Sequence, residues 1–179
     1  GLPKGHVFGT GTGLDSARLI SHLAEKTGID HKSITAYMIG EHGNSQFAPW
    51  SQVAFGSHKL DELAAEDERF RFDRDAMIKE TVDGAWTVFA GKSCTEYAIA
   101  ATAARIIRAI FHDEKAIIPV SAPLDGDFGE HDVFAGVPAI IGKDGCEEVV
   151  ELHLTDEELE HFHQCCAGIR ENIKIADEM

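Results

Sequence analysis

The turn at residues 143–145 (Lys-Asp-Gly) restricts the fold more than any other segment of the chain. Two predicted strands flank it, residues 137–142 and 147–154, and an Asp-Gly pair favours the tight turn of a β-hairpin. A third predicted strand covers residues 116–121. Because a tight turn joins antiparallel strands, these segments predict a largely antiparallel sheet in the second half of the chain.

Apolar residues recur at helical spacing through most of the remaining sequence and predict five α-helices. The predicted helices cover residues 14–27, 59–65, 73–90, 93–112 and a last segment that opens at Thr155. Asp15 or Ser16 suits the N-cap of the first helix. Thr155 and Glu158 form a capping box at the start of the last helix.

The segments between these helices are predicted to be strands and connections. Residues 34–39 and 47–55 are extended runs that are expected to pair with each other, and the charged stretch 66–75 is expected to be an exposed connection. Trp86 and Phe89 belong to the apolar face of the third helix and are expected to lie in the core. Helices mixed with antiparallel strands indicate an α+β fold, in which the helices pack beside a largely antiparallel sheet.

The composition limits the class of protein. With 179 residues and 44% hydrophobic content, the chain can form one domain with a packed core. A formal net charge of −15 argues against nucleic-acid binding, since contacts with phosphates need a basic surface. No apolar run approaches the ~20 residues of a membrane span, and no signal peptide is recognisable at the start. Four cysteines without the spacing of a disulfide framework indicate reduced thiols and a cytoplasmic location.

Two short motifs carry the residues that suggest chemistry, LDSAR at 14–18 and GEHGN at 40–44. His42 follows an apolar run and lies between two glycines, so a loop can present its ring to a cleft. Asp15 could orient that ring and favour its protonated form. Arg18, three residues further along the same helix, could bind a carboxylate through two hydrogen bonds. An ordinary turn histidine, a helix cap and a solvated surface charge are the alternative interpretations of these three residues.

In this order, the two motifs resemble the substrate-site signature of the L-lactate/L-malate dehydrogenase family. The similarity runs almost from end to end and includes VFGTGT at 7–12, SCTEYAIA at 93–100, VPAIIG at 137–142 and LTDEE at 154–158. Several motifs in the right order are far more specific than any one of them. The resemblance implies the fold of that family's C-terminal domain, in agreement with the α+β fold predicted from the periodicity.

The resemblance also implies a function. Residues 1–179 would be the substrate-binding and catalytic domain of an NAD-dependent L-2-hydroxy-acid dehydrogenase, which interconverts 2-oxo acids and L-2-hydroxy acids. His42 would be the catalytic acid and base with Asp15 as its partner, Arg18 would bind the substrate carboxylate, and Thr95 would line the pocket. NAD would be bound mainly by a dinucleotide-binding domain that is absent from this chain, so the chain alone is expected to be inactive. The complete enzyme is expected to be a homo-oligomer, either a dimer or a tetramer.

Three features depart from the family's commonest pattern. Asn44 stands where most lactate and malate dehydrogenases have aspartate, Ala48-Pro49 replaces proline followed by an aliphatic residue, and residues 87–97 differ from typical lactate enzymes. The motif around Asn44 and the run at 87–97 look more like L-2-hydroxyisocaproate dehydrogenases, whose substrates have bulkier side chains. A substrate of the hydroxyisocaproate or lactate type is therefore expected. A malate dehydrogenase, or a non-catalytic assembly or ligand-binding module that keeps the fold, is the alternative.

Other patterns suggest different chemistry on weaker grounds. The glycines of GTGTG at 9–13 imitate a phosphate-binding loop, but no βαβ unit of ~30 residues encloses them. Ser45 lies near His42 without the G-x-S-x-G elbow of serine hydrolases. Structural zinc sites recruit four ligands at recurrent pair spacings, which the last helix does not provide, so no metal is expected. The potential ligands on that helix are His161, His163, Cys165 and Cys166.

Overall fold

The hairpin predicted around residues 143–145 lies at the edge of a three-stranded sheet in the computed structural model, which describes all 179 residues. Gly142 pairs with Gly145 across a two-residue turn, as expected. Six strands form two separate sheets, each antiparallel and ordered as in the chain. The strands are β1 (Ile34–Thr35), β2 (Ala54–Phe55), β3 (His58–Lys59), β4 (Ala116–Asp125), β5 (His131–Gly142) and β6 (Gly145–Val149).

The two long strands of the larger sheet are longer than predicted, because β4 continues to Asp125 and β5 already begins at His131. The residues missed by the prediction, 122–125 and 131–136, include proline, aspartate and glycine, which are depleted in strands. Pro119 lies directly opposite Pro138 in the register of β4 and β5. By contrast, β6 ends at Val149 and is shorter than the predicted strand 147–154.

The smaller sheet confirms that residues 34–39 and 47–55 face each other, although only their ends are regular. Ile34 pairs with Phe55, and Ile39 forms an isolated bridge with Phe47. Between these points the second run is interrupted at Pro49 and a 3-10 turn follows it. The two runs thus pair on either side of the loop that carries His42 and hold its ends together.

All five predicted helices are present, with shifted ends. They are α1 (Gly13–Thr27), α2 (Leu60–Glu66), α3 (Arg74–Lys92), α4 (Glu96–Phe111) and α5 (Asp156–Asp177). The capping box of Thr155 and Glu158 is confirmed at the start of α5. The prediction of Asp15 or Ser16 as N-cap of α1 was wrong, because Thr12 holds the N-cap position and Asp15 lies inside the first turn. None of these helices combines the length and the apolar character that crossing a bilayer requires.

Two further predictions need correction. The stretch 66–75 is not wholly exposed, because Phe70 is buried and packs edge-on against Phe55. Trp86 and Phe89 do not lie in the core, since their side chains are 65% and 50% exposed. Helical periodicity identified an apolar face on α3, but no other element of this chain covers the last two turns of that helix.

The buried side chains form two separate cores, and the loop at residues 40–46 lies at the seam between them. The larger core joins the sheet of β4, β5 and β6 to α4 and α5, and the smaller joins α1 to the ends of the small sheet and to α2 and α3. Ile39 and Phe47 belong to the larger core, whereas their neighbours Met38 and Ala48 belong to the smaller. Both ends of the loop are therefore anchored in packed structure on two sides.

Candidate active site

Asp15 is the centre of the candidate site. It lies in the first turn of α1 and is only 1% exposed, where the partial positive charge of a helix N-terminus stabilises a carboxylate. Its Oδ1 accepts a hydrogen bond from Arg18 Nη1 at 3.1 Å, and its Oδ2 lies 2.7 Å from His42 Nδ1. The predicted approach of Asp15 and His42, with Arg18 beside them, is confirmed.

The carboxylate controls the protonation of the imidazole. The hydrogen bond that His42 donates to Asp15 raises the pKa of His42, more than partial burial of the ring lowers it. The negative charges of Asp15 and Glu41 also raise the pKa of His42, and the positive charge of Arg18 opposes them. With its Nδ1 proton held by Asp15, the ring exchanges its other proton at Nε2, which makes no hydrogen bond on a side chain that is 61% exposed.

Arg18 keeps most of its hydrogen-bonding capacity for a ligand. One N–H goes to Asp15, and the other guanidinium donors have no partner within the protein. The side chain is 16% exposed and lies against the backbone of α3 at Gly84, where an added Cβ would be 3.5 Å from Arg18 Cδ. A planar guanidinium held in this way can bind a carboxylate with two parallel hydrogen bonds.

Ser16 connects α1 to the strand segment that leads to His42. Its Oγ donates to the carbonyl of Thr12 at 2.8 Å and accepts from the backbone N–H of Met38 at 2.9 Å. Ser16 is 2% exposed, so neither contact can be replaced readily by water. This hydroxyl fixes the distance between the helix that carries Asp15 and the loop that carries His42. The sequence offered Ser16 only as a possible helix cap.

Replacing Ser16 with alanine is expected to destabilise the chain by about 1–3 kcal/mol, because the buried N–H of Met38 loses its partner. Urea unfolding followed by circular dichroism measures the change. Ser21, on the exposed side of the same helix, provides the matched control, and Ser21→Ala should stay within about 0.5 kcal/mol of wild type. Equal effects of the two substitutions would contradict the bridging role of Ser16.

The loop around His42 is also tied within itself. The Glu41 carboxylate accepts from the backbone N–H and the hydroxyl of Ser45, and Gln46 Nε2 donates to the carbonyl of Gly43 at 3.0 Å. At its start, Gly40 exchanges two backbone hydrogen bonds with Gly136 of β5. The sequence analysis did not predict these hydrogen bonds within the loop. Polar side chains close to a loop glycine could have indicated them.

Thr95 is the one predicted site residue that the structure does not join to the others. It occupies the N-cap position of α4, is partly buried, and makes no side-chain capping hydrogen bond. No hydrogen bond links it to Asp15, Arg18 or His42. Thr102, two turns further along α4, lies near Gly13 at the start of α1, which places α4 beside the helix that carries Asp15.

A surface groove of about 750 Å³ lies elsewhere. It runs between residues 44–51, α3 and the first turns of α5, and it contains none of Asp15, Arg18 or His42. Its arginine and its lysine are each neutralised by an ion pair, Arg74 with Asp61 and Lys79 with Asp83. We place the chemistry at His42 instead, because that site presents a ring nitrogen that can exchange a proton and an arginine with unused hydrogen-bond donors.

The glycine-rich run at 9–13 and the histidines of α5, which suggested other chemistry, have structural roles. The glycines at 9–13 allow close packing on β4, since a Cβ at Gly11 would lie 2.3 Å from the backbone nitrogen of Ser121. His161 stacks on Phe47, and His163 Nε2 hydrogen-bonds the carbonyl of Phe128 at 2.8 Å. No group of three or more His, Cys, Asp or Glu side chains is arranged to hold a metal ion.

Comparison with known proteins identifies the family. Residues 12–179 match the family model for the lactate/malate dehydrogenase, alpha/beta C-terminal domain. The chain belongs to the lactate/malate dehydrogenase family. The match begins at the N-cap of α1 and includes every residue of the candidate site. It therefore also supports the α+β architecture described above.

Curated relatives are named as lactate dehydrogenases. An L-lactate dehydrogenase of Fusobacterium nucleatum is 43% identical over 177 residues, which are 98% of this chain and 56% of that protein. The L-lactate dehydrogenase 1 of Bifidobacterium longum is 40% identical over 174 residues, 96% of this chain and 55% of that protein. The chain thus spans about half the length of the curated relatives that it matches.

Solved structures of both branches of the family have the same fold. The ligand-bound minor L-lactate dehydrogenase of Enterococcus mundtii superposes with a TM-score of 0.89 at 35% identity, over 95% of this chain and 55% of that chain. The malate dehydrogenase of Salinibacter ruber gives a TM-score of 0.88 at 27% identity, over 99% of this chain and 57% of that chain. Similarity of fold therefore does not separate lactate from malate enzymes.

Proposed function

We propose that this chain, together with a dinucleotide-binding domain, forms an NAD-dependent L-2-hydroxy-acid dehydrogenase, called the complete enzyme below. Residues 1–179 are its substrate-binding and catalytic domain. The observation that carries the proposal is the single buried carboxylate of Asp15, which contacts both the imidazole of His42 and the guanidinium of Arg18. Membership in the lactate/malate dehydrogenase family supports it.

The geometry suits acid–base chemistry on a 2-oxo acid. Arg18 binds the substrate carboxylate through two hydrogen bonds and so orients the neighbouring carbonyl. His42 donates its Nε2 proton to the carbonyl oxygen as that oxygen becomes a hydroxyl, and it takes the proton back in the reverse direction. Asp15 keeps the ring in the orientation that points Nε2 outward and stabilises the imidazolium. Thr95 lines the pocket at the start of α4.

The reduced cofactor, NADH, would supply the hydride for C2 of the 2-oxo acid when bound. The residues of this chain do not fit the bulk of that cofactor, since every strand pair is antiparallel and the glycine-rich run at 9–13 is packed against β4. We therefore assign NAD binding mainly to the other domain of the complete enzyme. The 179-residue chain alone should transfer no hydride.

Among 2-oxo acids, we propose those with aliphatic side chains larger than the methyl group of pyruvate, such as 2-oxoisocaproate. The support is the similarity of residues 44–47 and 87–97 to L-2-hydroxyisocaproate dehydrogenases. A lactate-type preference is the nearest alternative, because the relatives named above are L-lactate dehydrogenases. A malate-type preference is the further alternative, because malate dehydrogenase shares the fold.

The substrate proposal predicts a graded series of kcat/KM values for the complete enzyme with NADH. Each methylene that an apolar pocket accommodates changes discrimination by about 1–3 kcal/mol, so activity should rise from pyruvate through 2-oxobutyrate to 2-oxoisocaproate without an abrupt step. An optimum at pyruvate would assign a lactate dehydrogenase and one at oxaloacetate a malate dehydrogenase. Absence of turnover with all four acids would favour a non-catalytic module and contradict the proposed function.

We also propose that the complete enzyme is a homo-oligomer in the cytoplasm. Large apolar side chains stand exposed on α3 and α4, and such patches commonly mark protein interfaces. The most exposed are Trp86, Phe89, Tyr97, Ile107 and Phe111. All four cysteines are free, which suits a reducing compartment. The net charge of −15 disfavours nucleic acid as a partner.

A further inference from the structure

Cys165 of α5 supports the His42 loop from behind. Its Sγ donates a hydrogen bond to the carbonyl of Ser45 at 3.0 Å. The same sulfur fills the space beside Gly40, where an added Cβ would lie only 2.8 Å from Sγ. Cys165 is 1% exposed, so the contact is part of the packed interior. One thiol therefore touches the loop both before and after His42.

The opposite side of Gly40 is closed by β5. Gly40 and Gly136 exchange backbone hydrogen bonds of 2.9 and 2.7 Å, and a Cβ at Gly136 would lie 2.9 Å from the carbonyl oxygen of Gly40. Gly40 has a φ of +96°, which a residue with a side chain rarely adopts. The start of the loop is thus held between a strand and a thiol, with no free space on either side. The size of the side chain at position 165 consequently sets how far the loop extends towards α1.

The environment of Cys165 does not suit a reactive thiol. Burial raises the pKa of Cys165, so the group remains a neutral thiol that can donate its proton to Ser45. The neighbouring Cys166 is also buried, yet it interacts with the charges of Glu130 and Arg170 and has no hydrogen bond to the loop. Substitutions at these two adjacent cysteines can therefore distinguish an effect on the packing of α5 from an effect on the contact with the loop.

We propose that Cys165 is a positioning residue that seats the His42 loop so that Nδ1 meets the carboxylate of Asp15. The thiol acts through Gly40 and Ser45 and does not touch the substrate. Its consequence for catalysis rests on the proposed function, whereas its effect on the position of His42 does not. Displacing a catalytic group by about 1 Å can lower the rate about 100-fold, so even a small shift of the loop is measurable.

The test compares Cys165→Met with Cys166→Met, which add similar bulk at adjacent buried positions. In the complete enzyme, Cys165→Met should lower kcat for 2-oxo acid reduction by about 100-fold. The KM should change by no more than about twofold, because Arg18 on α1 keeps its place. Cys166→Met should retain most of the kcat. Cys165→Ser, which restores a small donor towards Ser45, should rescue kcat to within about threefold of wild type.

A second readout is independent of activity and uses the 179-residue chain. NMR titration of the His42 imidazole should give a lower pKa in Cys165→Ala than in Cys166→Ala, because the loop no longer holds Nδ1 against Asp15. Cys165→Ala adds no bulk, so it serves if Cys165→Met does not fold. Identical titrations and identical kcat values for the paired variants would overturn the inference. If the complete enzyme reduced no 2-oxo acid, the proposed function would fail while the titration still decided the role of Cys165.

Discussion

Replacing His42 with alanine in the complete enzyme should lower kcat for 2-oxo acid reduction by at least ~100-fold, the low end for loss of general acid–base catalysis. The ring is the only group of the site with a free, titrating nitrogen, so no neighbour can take over the proton transfer. Its exposure of 61% means that the fold should tolerate the truncation. Initial rates of NADH oxidation with a saturating 2-oxo acid measure the effect.

His58 supplies the matched control for this substitution. It lies exposed on β3 and makes no hydrogen bond through its ring, so His58→Ala should retain wild-type turnover. A His42→Ala enzyme with near-normal kcat, and with the same fold by circular dichroism, would refute the assignment of His42 as acid and base.

The second large effect is expected from Arg18→Lys, which should lower kcat/KM for 2-oxo acids by about 10- to 100-fold. Lysine keeps the positive charge but replaces a planar fork by a point charge, so a two-point contact with the carboxylate is lost. Loss of a hydrogen bond to a charged group is worth about 1.5–3 kcal/mol, which corresponds to that range. Most of the change should appear in KM, because Arg18 binds the part of the substrate that does not react.

Arg69→Lys is the control for Arg18→Lys, because Arg69 makes a surface ion pair with Asp67 away from the site. It should leave both constants unchanged. If Arg18→Lys binds substrate as well as wild type does, the carboxylate must be held by another residue, and the assignment of Arg18 would be wrong.

The geometry of the candidate site was predictable because it depends on residue types that have few other reasons to occur together. Asp15 and Arg18 share one helix face, and His42 stands in a glycine-bracketed loop after a strand. The structure joins these three as predicted. The residues that hold them in place were not predictable, since their partners are distant in sequence. Ser16 bonds Met38, 22 positions away, and Cys165 bonds Ser45, 120 positions away.

For the fold, too, features set by neighbouring residues were predictable, and features that depend on residues distant in sequence were not. Helix periods, the turn at residues 143–145 and the capping box at Thr155 are local signals, and each was confirmed. The full length of β4 and β5 escaped prediction because residues 122–125 and 131–136 include proline, aspartate and glycine, which disfavour strands locally but are accommodated once the sheet has formed. Trp86 was misplaced because periodicity reveals an apolar face without revealing what covers it.

The most direct measurement is the pH dependence of kcat/KM for 2-oxo acid reduction by the complete enzyme, wild type and Asp15→Asn. Only the imidazolium form of His42 can donate a proton, so the rate should be highest at low pH and fall as pH rises through the pKa of His42. The hydrogen bond to Asp15 raises that pKa above its ordinary value of 6.5, so the fall should begin above this pH in the wild type. In Asp15→Asn the maximum should be lower and the fall should move to lower pH. A wild-type rate that does not change between about pH 6 and pH 9, or the same profile in both enzymes, would contradict the assignment of His42 and Asp15.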